Sequence, residues 1–244
     1  MFRPRLAGLV ILIPLLAGGD PPRSKDAAPP FEPTDRYERR TIEGWPVVVN
    51  KAFLVDRADL ASATLAHLAY QLHQIKHKVP AAAVVKLQKV RIWVEEHEPH
   101  TPCMAYHPDA GWLREHGMNP DKTRCVELAN ARNFLTWTRE QPWMVLHELA
   151  HAYHHQVLDA GFENPELRAA FRKATETKLY AKVLHYDGKE IKAYATTNPM
   201  EYFAESTEAF FGANDFYPFV RAELQRHDPA MDRLLLRFWG GDQP

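Results

Sequence analysis

Hydrophobic positions change period several times along the chain, and each change marks an element. Val47, Val48 and Val49 lie in a β-favouring run, so Trp45–Asn50 reads as a strand, with Arg36–Ile42 its partner across a Glu43-Gly44 turn. From Asp59 to Val79 the period becomes helical: Leu60, Leu68, Leu72, Ile75 and Val79 share one stripe, and Pro80 ends it. A short helix over Ala81–Gln88 precedes a strand in which Val90, Ile92 and Val94 alternate with Arg91, Trp93 and Glu95. Residues 96–124, rich in Pro, Gly, His and aromatics, read as a long functional loop. Val126–Ala129 reads as a short edge strand, able to hold an extended peptide by backbone pairing. An apolar helix begins near Gln141-Pro142 and runs to about Leu158, where Asp159-Ala160-Gly161 stops it. Further helices are expected from Glu166 to about Val183, over Pro199–Phe211, and once or twice within Phe219–Trp239. The expected fold class is α+β, mainly helical, with a small mixed sheet towards the N-terminal side.

Composition narrows this only slightly. The 244 residues suit one large domain or two small ones, and 45% hydrophobic with 25% charged residues is ordinary for a globular chain. A net charge of −1 supplies no basic surplus for nucleic acid. No repeat of solenoid length is visible. The N-terminus has the pattern of an export signal: Arg3 and Arg5, an apolar run from Leu6 to Leu16, then Ala17-Gly18-Gly19. That run is shorter than the ~20 residues a bilayer requires, so no stable membrane insertion is expected after cleavage. The organisation expected is a signal over 1–19, a Pro-rich linker over 20–36 and one domain over 37–244, in a secreted or periplasmic protein. In an exported chain Cys103 and Cys125 can close one disulfide, pinning the segment ahead of the long apolar helix, or remain two thiols.

That apolar helix carries His147-Glu148-Leu149-Ala150-His151. Residues four apart on an α-helix lie about 40° from each other, one turn along. Two imidazoles so placed can reach one tetrahedral metal ion, while Glu148 lies beside them, placed to take a proton from the attacking water. A third ligand is required. The metzincin pattern would put a histidine at position 157, which is Val157, so that completion fails. His154 lies about 10 Å along the axis from His147, too far to complete one shell. It reads as a supporting or packed residue, and His155 as structural. His67, His73 and His77 read as solvent-facing or half-buried side chains of their own helix. A better source is Asn198-Pro199-Met200-Glu201-Tyr202-Phe203-Ala204-Glu205, whose two carboxylates share a helix face. One can bind the metal, and the other can accept the free N–H of a ligating imidazole. A solvated acidic face, extended by Glu208, is the competing reading. In the long loop, His107, Trp112 and His116 are placed either to touch substrate or to pack.

HELAHA followed by YATTNPMEYFAE resembles the catalytic domain of anthrax lethal factor and the related secreted Pro-Pro endopeptidases. The likeness spans His147 to Phe211 and is specific at the two motifs. It implies a zincin-like fold, Zn²⁺ held by His147, His151 and Glu201, and Glu205 supporting a ligand. It also implies that Tyr194, seven residues before Glu201, points into the site. Ser206–Gly212 and Asn214–Tyr217 depart from the family, so its substrate preferences are not carried over. The resulting expectation is a monomeric zinc endopeptidase acting on protein or peptide substrates, with Glu148 as general base and Tyr194 as donor to the oxyanion. The alternatives are a zinc-binding interaction module without turnover and a helical domain with a coincidental motif. Retention of both Glu148 and Tyr194 favours turnover.

Overall fold

A computed structural model of the chain describes residues 31–240. The expected signal and the first part of the linker lie outside them. The rest of the linker is folded: Thr34 donates to Asp121 and Asn119 Nδ2 donates to the Glu32 carbonyl at 3.1 Å.

β1 (Tyr37–Ile42) and β2 (Trp45–Asn50) form an antiparallel hairpin. Its turn uses left-handed backbone at Glu43 and Gly44, with φ of 52° and 95°. Asn50 then caps α1 (Lys51–Asp56) by accepting the amides of Ala52 and Phe53. α2 (Ala58–Lys78), α3 (Ala81–Leu87) and β3 (Ile92–Val94) follow. The next part holds β4 (Met104–Tyr106), α4 (Ala110–Glu115), β5 (Val126–Leu128), α5 (Ala131–Trp137) and the motif helix α6 (Met144–Val157). The chain closes with α7 (Pro165–Glu176), a hairpin of β6 (Val183–Leu184) and β7 (Glu190–Ile191), α8 (Pro199–Phe211), α9 (Arg221–His227) and α10 (Pro229–Phe238). The architecture is mixed α+β with a small mixed sheet. Strand order is β1-β2-β3-β5-β4, parallel at β2–β3–β5 and antiparallel at both ends.

The sheet has two faces of different chemistry. Val47, Val49, Ile92, Val94, Val126 and Leu128 join the large helical core. Val48, Trp93 and Glu127 align in register on the other face. α6 lies against both β4 and α8, which brings the motif to the sheet's end.

Several expectations need correction. β5 is not an edge; it lies between β3 and β4, and the edge is β4, from the segment expected to be loop. A three-residue strand leaves no period-2 signal to read. α7 stops at Glu176, where Lys178 takes a left-handed φ of 57°, and the β6–β7 hairpin follows. α6 begins at Met144, after Pro142 rather than at it. The disulfide is absent: Cys103 and Cys125 are free and buried. Cys103 pairs with Ala129 and Cys125 with His107 across the β4–β5 ladder. At ~3.3 Å per residue the thiols are separated by about 13 Å of strand, beyond a disulfide's reach. No helix among the described residues is long and apolar enough to cross a membrane.

α8 ends at Gly212, over which the Trp143 indole passes. A Cβ there would lie 1.9 Å from Trp143 Cε2. Gly212→Ala should therefore lower stability by about 1–3 kcal/mol, the usual effect of overpacking. Urea unfolding monitored by tryptophan fluorescence checks this, and an unchanged midpoint would contradict it.

Candidate metal centre

α6 turns Leu146, Leu149, Ala150, Ala152 and Tyr153 into the core. Its remaining inward face presents His147 and His151 to α8. α8 starts with Asn198, whose side chain accepts the Glu201 amide at 2.9 Å, and Pro199 occupies the first turn. Glu201 therefore sits where a helix best accommodates negative charge.

The three expected ligands meet. His147 Nε2 and His151 Nε2 lie 3.1 and 3.3 Å from the same oxygen, Glu201 Oε2. Ligand atoms about 2.0–2.1 Å from a tetrahedral ion are about 3.3 Å apart, so these two spacings suit an ion such as Zn²⁺, and all three ligand atoms lie within 4.8 Å of one another, close enough to hold one metal ion. The imidazoles stand nearly perpendicular, at 82°, so neither blocks the other's approach. Burial opposes ionisation of Glu201, but the His151 and His147 imidazoles outweigh it and hold the carboxyl well below the usual carboxylate range.

The support behind His147 is not the expected one. Its Nδ1 donates to Glu208 Oε1 at 2.7 Å, whereas Glu205 Oε1 is 4.0 Å away. Glu208 follows Glu201 by two turns and returns to within about 20° of its face, closer than the ~40° offset of Glu205. Burial works against a charged His147, yet its bonds to Glu201 and Glu208 leave its pKa well above the ordinary value. Glu205 accepts from Asn214 Nδ2 at 3.2 Å instead. Burial, reinforced by Asp215 and Glu208, pushes the Glu205 carboxyl well up. The sequence names Glu208 only within the competing reading of a solvated acidic face and gives it no role at the site. Tyr202, Phe203, Phe210 and Phe211 cover the opposite face of α8 and say nothing of the carboxylate face, whose burial is set by its packing on α6.

Glu148 lies beside the cluster, its Oε2 accepting the Tyr106 amide of β4 at 2.8 Å. Tyr194 comes in from a 3₁₀ turn over Tyr194–Thr196, and its side chain hydrogen-bonds Glu201. Burial and the nearby Glu201 and Glu148 charges keep the Tyr194 phenol protonated.

His154 is not a supporting group. It is fully buried between Phe162 and Phe203, at ring separations of 5.0 and 5.2 Å, and burial pushes its pKa down to about 3. His155 Nδ1 meets the Tyr106 hydroxyl at 2.8 Å, a packing role as expected. His151 Nδ1 has no hydrogen-bond partner among the described residues. Of the α2 histidines, His67 bonds Thr138 and Gln71. None of the three joins a metal-type cluster among the described residues. Trp112 is stacked between His107 and His116. His107 bonds Glu127, so this block covers the sheet face away from α6. Comparison with family models, curated proteins and solved structures finds no match.

The donor geometry predicts about one zinc per chain. Glu201→Ala should abolish tight binding, and Glu208→Ala should weaken it about 10–100-fold, more than Glu205→Ala. Chelator competition measures all three, and an effect of Glu205 exceeding that of Glu208 would reverse the assignment. His154 has a separate signature. Its folded pKa of about 3 lies below the unfolded value of ~6.5. Between those limits the unfolded chain binds the extra proton. The contribution is complete above pH ~6.5 and is lost as pH falls towards 3, at up to about 1.4 kcal/mol per unit. His154→Phe should flatten the stability profile across that window in urea titrations at several pH values.

Proposed function

We propose that this chain is an exported zinc-dependent endopeptidase with a zincin-like catalytic domain, akin to the lethal factor and Pro-Pro endopeptidase family. The observation that carries this reading is the convergence of His147 Nε2 and His151 Nε2 on Glu201 Oε2, with Glu148 and Tyr194 beside them. His147, His151 and Glu201 would hold Zn²⁺, which when bound acts as a Lewis acid and makes a water a competent nucleophile near neutral pH.

The protein's own groups do the rest. Glu148 takes the proton of the attacking water and returns it to the leaving nitrogen. The Tyr106 amide holds one oxygen of that carboxylate and leaves the other to work. The Tyr194 hydroxyl donates to the carbonyl oxygen as negative charge develops there. Met104 and Tyr106 turn their backbone groups away from the β5 ladder, since Cys103 and His107 make the pairings to it. With the Tyr106 amide taken by Glu148, an extended peptide laid along β4 would pair through Met104 and the Tyr106 carbonyl. The export assignment rests on the residue pattern of 1–19.

A second reading, a zinc-binding interaction module without turnover, draws on one observation. Glu148 and Tyr194 are both engaged within the protein, with Tyr106 and with Glu201. A peptide-library digest separates the two. The wild type should cleave, Glu148→Gln should keep its zinc and lose hydrolysis by orders of magnitude, and Tyr194→Phe should lose about 10²–10³ in kcat. Zinc-loaded protein that binds peptides and cleaves none would leave only the module.

A further inference from the structure

Behind the sheet, on the face away from the metal cluster, lies a second buried polar assembly that the proposed chemistry does not use. Lys122 is 3% exposed, Glu127 0%, His107 4% and Glu95 6%. Lys122 Nζ donates to Glu95 Oε1 at 2.8 Å and to Glu127 Oε1. Glu127 Oε2 accepts from His107 Nε2 at 2.6 Å. Glu95 also accepts from the Tyr37 hydroxyl at 2.5 Å and from Asn50 Nδ2 at 3.1 Å. Trp93 walls the assembly, its ring centroid 5.7 Å from Lys122 Nζ. These residues stand at the end of β3 (Glu95), within β5 (Glu127) and at the end of β4 (His107). The assembly is a cross-tie over three adjacent strands.

What it ties matters for the site. β4 is three residues long, an edge, and flanked by irregular chain. A strand so short is prone to fray or slip. His107 directly follows Tyr106, and Tyr106 donates its amide to Glu148. The His107 backbone pairs with Cys125 and Arg124, while its side chain locks onto Glu127 in the next strand. Release of that lock frees the last ladder position before the amide that holds Glu148. We propose that the His107–Glu127–Lys122–Glu95 tie is a positioning device for the general base, acting through the Tyr106 amide of β4. The role in catalysis rests on the peptidase reading above; the mechanical coupling of His107 to the Tyr106 amide does not.

The test is amide hydrogen exchange of the zinc-loaded full chain by NMR, with zinc content and steady-state kinetics measured in parallel. His107→Phe removes the donor, retains an aromatic ring against Trp112 and leaves Glu127 paired with Lys122. In this variant the Tyr106 amide should exchange about tenfold or more faster, while amides in the middle of α2 keep their wild-type rates. Zinc should stay at one per chain, and kcat should fall by a similar factor with KM little changed. His107→Gln, which keeps a donor, should restore protection at Tyr106. If His107→Phe fails to fold, the triple variant Glu95→Gln, Lys122→Met, Glu127→Leu removes the buried charges together and should accelerate Tyr106 alone in the same way. Wild-type protection at Tyr106, or equal acceleration across α2 and β4, overturns the proposal. Zinc-loaded wild type without peptide cleavage would sink the peptidase reading, and the exchange data would still decide the coupling.

Discussion

Three carboxylates lie on a helix with no exposed side. Every residue of α8 from Glu201 to Phe210 is buried, Glu201, Glu205 and Glu208 among them. An unpaired buried ion costs several kcal/mol, so α8 can stand where it does only with partners for these groups. His147 answers two of them, Glu201 through Nε2 and Glu208 through Nδ1, and His151 answers Glu201 again. Glu205 turns to Asn214, and Asp215, the next residue, accepts from Gln141 at 3.2 Å. The α6–α8 contact is therefore fixed in register by charge as well as by apolar packing. A slip of one helix turn would strand at least one carboxylate. The same pairing brings the metal-type donors together, so fold and site share one constraint.

How much of this was legible depended on how local each signal was. The spacing of His147 and His151 is a property of one helix and could be read directly. Glu201 lies some fifty residues on, and only its resemblance to a known pattern separated it from Glu205. The role of Glu208 was not legible because burial is a tertiary property: Glu-x-x-Glu on a helix looks like a solvated stripe until His147 of α6 and Asn214 are seen to meet it. The hairpin β1–β2 and the helix α2 carried enough periodic positions to be placed nearly to the residue. β4, α1 and α5 span three to seven residues and left no periodic trace. Hence the edge strand was assigned to β5, and the separation of the two cysteines could not be fixed, leaving bridge and free thiols both open.

The site is assembled from elements of unequal rigidity, and the difference bears on mechanism. His147, Glu148, His151 and Glu201 project from two long packed helices, the arrangement that best holds a donor set to small tolerances. Glu148 is steadied from outside α6 by the Tyr106 backbone amide on an edge strand. Tyr194 stands on a 3₁₀ turn just past the β6–β7 hairpin, which exposes Leu184, Tyr186 and Ile191. Its neighbours Ala193 and Ala195 are buried, and the Ala193 amide bonds the Tyr180 carbonyl, so its backbone is anchored while its ring stays half-buried.

In this arrangement the Tyr194 hydroxyl rests on Glu201. In the proposed hydrolysis, a donor to the developing charge would have to reach the reacting oxygen, so the phenol would have to leave that carboxylate and turn towards the peptide carbonyl. The buried alanines on either side restrict that motion to side-chain rotation rather than movement of the turn.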